Sequence, residues 1–412
     1  MRMLVDSLYY RFLMAHRYQR KPRVLLISHS CRKAVEGHPR AAALHALGTV
    51  DLKVITPRTW RFYGKWMGVE HPHPSLFQMT DHAVVFPWLP GIGSHMHTYV
   101  GLRHILNGFQ PDIVDIWEEP WAMVSAHATQ LIRRDFPGTK ILLETEQNLY
   151  KKLPPPFANF WEYSCREADY LVGRSEEAVD VSKAYGYRGE AAVLPNGVDT
   201  TQFHPRNRAI SRVRFGIPEE RFIVGYAGRF VEEKGLMDLL NAVGTSDPRV
   251  HCWLVGGGPQ KDELAARAGQ NDLQGRVHFL PNQNHTALAE IMSAFDVFAL
   301  PSRTVGNWKE QFGRVIAEAG AAGIAVIGSD SGAIPDVIGD AGIVFPEGDA
   351  KAIADAIRTL HEQPALRAEY GVNGRRRAEE LYSWQPVARQ YSDLLLYLAG
   401  LKERPDFTQD IG

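Results

Sequence analysis

The sequence predicts an α/β protein built from two doubly wound, parallel-sheet domains in tandem. Three observations carry that prediction. The chain has 412 residues, 45% hydrophobic and 23% charged, enough for two full cores and ordinary for a soluble enzyme. Short apolar runs ending in polar residues alternate with helix-forming segments, the mark of strands buried on both faces of a parallel sheet. This series occurs twice. The polar, breaker-rich stretch His204–Glu220 separates the two as an interdomain linker. The domains are expected over residues 1–205 and 215–383, with a helix over 384–400 returning to the first.

Charge and cysteine usage narrow the function. The formal net charge is −1, which argues against a nucleic-acid binder held by phosphate contacts. Cys31, Cys165 and Cys252 are far apart and lack a CxxC spacing, so they are expected as reduced thiols of a cytoplasmic protein, with no structural zinc. No apolar run reaches the roughly 18 residues of a membrane span. The N-terminus, MRMLVDSLYYRFLMAHRYQRKPR, has Asp6, Tyr9, Tyr10 and Arg11 where a signal peptide would be apolar. It is basic and aromatic, compatible with a helix on a membrane surface or one packed on the first domain.

In the first half, Arg23–Ser30 and Leu52–Thr56 are strands around a helix at Ala41–Leu47, and the loop after the first strand holds Gly37. Arg58–Met79 interleaves Trp60, Phe62, Tyr63, Trp66 and Met67 with Arg61 and Lys65, a pattern of lipid or sugar contact or of rings packed on the domain. The strand Asp112–Ile116 runs straight into Trp117-Glu118-Glu119-Pro120. Two acids at the carboxyl end of a strand face the crevice where open α/β sheets bind ligands, and Pro120 should turn Glu119 into it. Further strands fall at Ile141–Glu144 and Tyr170–Gly173, and His95 and His97 share a glycine-flanked loop.

The second half has strands at Phe222–Ala227, Val250–Val255, Val277–Leu280, Asp296–Leu300, Ala325–Gly328 and Gly342–Phe345. Two such domains in tandem are expected to leave a cleft between their carboxyl edges. The first turn, Gly228-Arg229-Phe230-Val231-Glu232-Glu233-Lys234-Gly235, brings two cations to a strand end, where they would neutralise a diphosphate. Pairing of both with Glu232 and Glu233 is the alternative. Neither this loop nor Gly256-Gly257-Gly258-Pro259 is a GxGxxG or a Walker A sequence, which weakens a dinucleotide-oxidoreductase reading.

The segment WKEQFGRVIAEA, from Trp308 to Ala319, passes from loop to helix near Val315. Gly313 lets a backbone approach closely, and the first helix amides near Arg314 favour a phosphate. Glu310 and Glu318 beside them suit sugar hydroxyls. Phosphate plus polyhydroxyl describes a nucleotide sugar, while a surface helix with solvated acids is the plain alternative.

Together these residues resemble the retaining family 4 glycosyltransferases of the GT-B fold, closely over residues 190–385 and loosely over 23–190. The motifs are PNGVDxxxF (Pro195–Phe203), GRFxxEKG (Gly228–Gly235), GGGP (Gly256–Pro259), the acid pair Glu310 and Glu318, and SGAIPDVI (Ser331–Ile338). The resemblance implies that Arg229 and Lys234 bind the donor diphosphate, Glu318 the ribose, and Glu310 the donor sugar. Phe312, Gly313 and Val315 would contact sugar and phosphate through backbone, and Leu280 and Pro281 would border the base. Gly37, Gly257 and Gly258 complete the implied donor set. The first domain departs from the family: one glycine, Gly37, stands where many members have two. The Glu118-Glu119-Pro120 stretch, shared with a bacterial subgroup, stands where many have a histidine.

The expected function is therefore transfer of a hexose-type sugar from a nucleotide diphosphate sugar to a glycan or lipid-linked hydroxyl. Glu310, Glu119 and Glu118 are the catalytic candidates. No metal or other cofactor is expected, because Arg229, Lys234 and the helix amides supply positive charge. In such enzymes the leaving diphosphate is thought to help deprotonate the acceptor. A cytoplasmic setting, with peripheral contact to the inner membrane surface, accompanies this expectation. A nucleotide-sugar epimerase and a noncatalytic membrane-associated scaffold are the rival readings.

Overall fold

The computed structural model describes residues 20–62, 65–86, 89 and 95–407. The chain divides into two compact units. One runs to Leu194 and takes in the segment from Ala388 onward; the other spans Pro195–Val387.

The first unit is organised by a seven-stranded parallel sheet. Its strands are β1 (Arg23–Ile27), β2 (Asp51–Pro57), β5 (Gln78–His82), β8 (Ile113–Ile116), β9 (Lys140–Thr145), β10 (Tyr170–Gly173) and β11 (Glu190–Val193). The order is β11-β10-β9-β8-β1-β2-β5. The reversal beside β1 is the kind of switch point at which such sheets bind ligands. All four residues of β8 and of β10 are buried, as runs covered by helices on both faces require. Asp112, just before β8, accepts from the Arg23 amide at 2.8 Å and pins the first strand.

The expected aromatic loop holds a hairpin, β3 (Trp60–Phe62) with β4 (Lys65–Met67), and leads into β5, after which a second short antiparallel pair forms, β6 (Val84–Val85) with β7 (Thr98–Tyr99). Trp60 is buried, whereas Trp66 is 57% exposed, so the two alternatives divide between the two rings. Tyr63 lies outside the described residues, as do the N-terminal residues 1–19, read as a helix on a membrane surface or packed on the first domain.

The second unit has six parallel strands: β12 (Phe222–Arg229), β13 (Val250–Gly257), β14 (Val277–Leu280), β15 (Val297–Leu300), β16 (Ala325–Ser329) and β17 (Gly342–Phe345). Their order is β14-β13-β12-β15-β16-β17. The strand positions follow the sequence reading within a residue or two at each end. The linker does not. Residues Arg208–Phe215 form a helix of the second unit, capped by the Asn207 side chain. Buried Arg212 pairs with Asp296, which Arg208 also reaches at 2.6 Å. The stretch looked like a linker because it is polar, but its polar groups are a cap and two paired cations.

The last helix, Trp384–Leu398, passes from one unit's residues to the other's. From Ala388 it is built into the first unit, with Leu394 and Leu395 fully buried. Tyr397 Oη donates to Glu190 Oε2 at 2.6 Å.

Candidate functional site

In the second unit, the loops at the carboxyl ends of β12 and β15 meet. Lys234 closes a short helical turn after β12, and its ammonium lies 2.6 Å from Glu310 Oε2. Ser302 Oγ donates to the same oxygen at 2.8 Å. The Lys234 ammonium also sits over the Trp308 ring, 4.4 Å from its centroid. That ring is placed by a tight turn in which Val305 and Trp308 exchange backbone hydrogen bonds of 3.0 and 2.9 Å. Glu347 ties the loop further on, accepting from the Thr304 amide and hydroxyl at 2.5 and 2.7 Å. Buried Asp238 takes a bidentate bond from Arg303.

Gly313 follows in the left-handed region, with φ +75°, and precedes the helix Arg314–Ala321. A residue with a Cβ would be strained there, and glycine offers no side chain to cap the helix. Glu318 lies one turn in and is buried, with Arg314 Nε 3.8 Å away. Burial pushes its carboxyl up to about 7, with Arg314 acting in the opposite sense. Phe312 is buried against Tyr382, ring centroids 5.6 Å apart, and Val315 packs on the core.

Arg229 ends β12 in register with Gly257, and its side chain is exposed. The Phe230 amide donates to the Gly257 carbonyl at 2.9 Å, so the two strand-end loops form one surface. Gly258 packs on the Phe230 backbone. Leu280, half-buried, ends β14, and Pro281 beyond it is exposed. Thus Lys234 and Glu310 are directly bonded, Arg229 is tied to Gly257, and Glu318 has a different neighbour.

In the first unit the two adjacent acids have separate partners. Glu118 is buried at the end of β8. Its Oε1 accepts from the His29 amide and its Oε2 bonds His29 Nδ1, each at 2.6 Å. Burial opposes ionisation of Glu118, but the facing His29 outweighs it and holds the carboxyl below the usual range. Glu119, which Pro120 was expected to turn into the crevice, clips the end of β9. Its Oε2 accepts from Thr145 Oγ1 at 2.8 Å and its Oε1 from the Glu146 amide at 2.9 Å. Burial still raises it to about 7. Gly37 caps the helix His38–Leu47, and a Cβ there would come within 2.6 Å of the Cys31 backbone. Its lack of a side chain is already required by that packing. His95 Nδ1 accepts from Trp121 Nε1 at 3.2 Å, and His97 is fully buried against Trp60.

Beneath this edge lies a sealed knot of charge. Arg40 contacts Asp115 and Glu144, each at 2.6 Å. Arg174 pairs with Glu144 and donates to Tyr391 Oη at 2.6 Å. Tyr391 in turn donates to Glu144 at 2.8 Å and lies under the Arg40 guanidinium. Paired with Arg40 and Arg174, Glu144 is held down near 2 despite its burial. Sequence reasoning passed over His29, Ser302, Arg40 and Arg174. Of these, His29 had a signal, because it stands at the carboxyl end of the first strand.

Among the described residues, no group of three or more His, Cys, Asp or Glu is placed to hold a metal. No described helix is long and apolar enough to cross a membrane. The three cysteines are buried and unpaired.

Residues 207–377 match the family model described as glycosyl transferases group 1. A D-inositol 3-phosphate glycosyltransferase of Streptomyces avermitilis is 33% identical over 244 residues, covering 55% of this chain and 51% of that protein. A GDP-mannose-dependent monoacylated alpha-(1-6)-phosphatidylinositol monomannoside mannosyltransferase of Corynebacterium glutamicum is 28% identical over 239 residues, covering 56% and 62%. The chain thus spans about half the length of the curated relatives it matches. Among solved structures, a sucrose-phosphate synthase from Thermosynechococcus elongatus aligns with a TM-score of 0.71 at 23% identity, covering 92% of this chain and all of that one. WaaG, a glycosyltransferase of lipopolysaccharide biosynthesis, aligns with a TM-score of 0.64 at 17% identity, covering 90% and 99%. The fold is GT-B, as the sequence implied.

Proposed function

With a second unit that is a glycosyl transferases group 1 domain, we propose that the chain is a hexosyltransferase. It takes a hexose from a nucleotide diphosphate sugar and transfers it, with retention, to a glycan or lipid-linked hydroxyl. One observation carries this reading: the Lys234 ammonium held between Glu310 and the Trp308 face, both of them in the loop that runs into the uncapped helix after Gly313. An ammonium beside a helix N-terminus suits a diphosphate, and a carboxylate beside it suits sugar hydroxyls.

In this reading Arg229 and Lys234 neutralise the diphosphate, Glu318 takes the ribose hydroxyls and Glu310 faces the donor sugar. Leu280 and Pro281 border the base, and the backbone at Gly257, Gly258, Phe312, Gly313 and Val315 lines the remainder. Charge developing on the leaving group meets fixed cations and amides, so no metal is required. None of the similar proteins named above is an epimerase or a noncatalytic scaffold. The mannosyltransferase among them, by its name, acts on a phosphatidylinositol mannoside, which supports a lipid-linked acceptor here.

Peripheral contact with the inner membrane surface fits that acceptor, through exposed Trp66 beside Arg61. Vesicle flotation tests it: Trp66→Ala should reduce recovery with anionic vesicles, and unchanged recovery refutes the contact. The unpaired cysteines suit a cytoplasmic, reducing compartment.

The function is tested by thermal melts against a panel of nucleotide sugars. The true donor raises the melting temperature by mass action and is turned over in excess chelator. A panel without effect rejects the transferase, and activity lost to chelator and restored by magnesium or manganese rejects the metal-free mechanism.

A further inference from the structure

A groove in the first unit is used by none of the assignments above. It lies between the helices Met123–Asp135 and Phe157–Glu167, with the β6–β7 pair along its third side. Its volume is about 560 Å³, within the range of small-molecule sites. Val85, Phe86, Met123, Ala126, Phe160 and Tyr163 form its apolar walls. The groove has a direction. Met123 stands in the first turn of its helix, with Ala126 and then Gln130 about one turn further on each time, so the three share one face. From Met123 to Gln130 the groove follows that helix for about 10 Å. Phe160 and Tyr163 line the facing helix in the same way. The two helices follow β8 and β9 in the chain, so both begin on the carboxyl side of the sheet. The Met123 amide is tied there, donating to the His95 carbonyl at 2.7 Å.

The lining is wrong for a charged or polyhydroxyl occupant. Among the described residues, no Lys, Arg, Asp or Glu side chain lines it. His127 Nδ1 and Thr98 Oγ1 bond each other at 2.7 Å. Burial lowers the His127 basicity and Arg134 acts in the same sense, so the ring is neutral near pH 7. Phe86 is 42% exposed and has φ +58°, in the left-handed region that residues other than glycine rarely adopt. Strain of that kind gathers at ligand clamps.

We propose that this groove holds one acyl chain of the lipid-linked acceptor, whose head group then lies at the carboxyl edge of the first sheet. This rests on the transferase reading and deepens it, because it names the acceptor class as a hydroxyl carried on a fatty acyl lipid. A phosphate or a sugar ring in the groove would leave its polar groups unpaired, whereas a hydrocarbon chain has none to satisfy. The two helices pack on each other, and the space between them suits an unbranched chain better than one with a methyl on every fourth carbon. The groove also leads away from the edge at which such sheets bind ligands, so a chain inside it leaves its head at that edge.

The test uses the full chain and a series of alkyl glucosides, butyl to decyl, below their micelle concentrations, with calorimetry as readout. Affinity should rise about fourfold for each added methylene until the groove is full and then level off, with a negative heat-capacity change. Ala126→Phe fills the groove and should abolish the dependence on chain length. Gln130→Leu extends the apolar wall and should move the levelling to a longer chain, a gain that a misfolded variant cannot give. Dodecyl phosphate should bind more tightly than farnesyl phosphate of the same chain length. A flat series in the wild type overturns the proposal, as does an unchanged series in folded Ala126→Phe. Should Ala126→Phe not fold, unmoved levelling in Gln130→Leu decides against the groove by itself. Tighter binding of farnesyl phosphate gives the groove to an isoprenoid chain and overturns the acyl assignment. Chain-length dependence in a protein that neither binds nor releases UDP or GDP would sink the transferase reading and uphold the acyl site. Sugar transfer to soluble glycans without chain-length dependence would sink this inference alone.

Discussion

Each unit places titratable side chains at the carboxyl edge of its sheet, and the two edges use them differently. In the first, Arg40, Asp115, Glu144 and Arg174 are all 1–2% exposed and pair with one another, with Tyr391 sealing the group. In the second, Lys234 and Glu310 are 18% and 10% exposed, rest on a Trp308 ring, and adjoin a helix start without a side-chain cap. A knot sealed from solvent is out of a ligand's reach and holds structure. An open pair can exchange partners when an anion arrives. Burial and completeness, rather than charge itself, separate a structural ion pair from a binding one.

The largest effect that could break this contrast is on stability. Arg174→Met leaves Glu144 buried without one of its cations and should cost about 3–5 kcal/mol in urea denaturation. Lys234→Ala leaves Glu310 its Ser302 hydrogen bond and should cost clearly less in the same measurement. Equal losses would mean that the two edges do the same work.

Next comes binding. Lys234→Ala should weaken UDP or GDP about ten- to a hundredfold by calorimetry, the range of about 1.5–3 kcal/mol for a charge-assisted bond. Arg174→Met, in whatever fraction remains folded, should bind both normally. Unchanged affinity in Lys234→Ala and Arg229→Ala alike removes the diphosphate clamp.

Within the open edge, the two acids should separate by about tenfold effects of different kinds. Glu318→Ala should lower nucleoside diphosphate affinity, since ribose is common to product and donor. Glu310→Ala should lower turnover and spare that affinity. Equal losses of nucleotide binding would refute the division.

The smallest effect is on pH. Burial raises Glu318 to about 7, so the stability it contributes is present below its ordinary value and is lost as pH rises through about 7. Ribose hydroxyls bind best to the ionised form. UDP affinity should therefore rise several-fold between pH 6 and 8 in the wild type, beyond the change seen in Glu318→Gln, where only the phosphate titrates. Identical pH curves would show that Glu318 does not meet the ribose.

What the sequence by itself determined was local. Apolar runs with polar ends located the strands of the second sheet and the inner strands of the first, because a strand buried on both faces must be apolar along its whole length; the less buried β5 and β11 at the edges of the first sheet gave no such run. Arg229, Lys234 and Gly313 stood out as candidates because each lies at or just after a strand end or at a helix start, where backbone geometry assigns a direction without further information. The tertiary structure decided which charges pair. His29 meets Glu118 across 89 residues and Arg174 meets Tyr391 across 217, and no spacing rule reaches that far. It also separated neighbours that looked equivalent, sending Glu118 to β1 and Glu119 to β9, since successive residues at a strand end point to different sides. The helix read as a linker went unseen for the same reason: its polarity was legible, but the Asp296 that its cations meet was not. Hydrophobic pattern is written along the chain, whereas charge complementarity is written between distant segments and exists only once they are folded together.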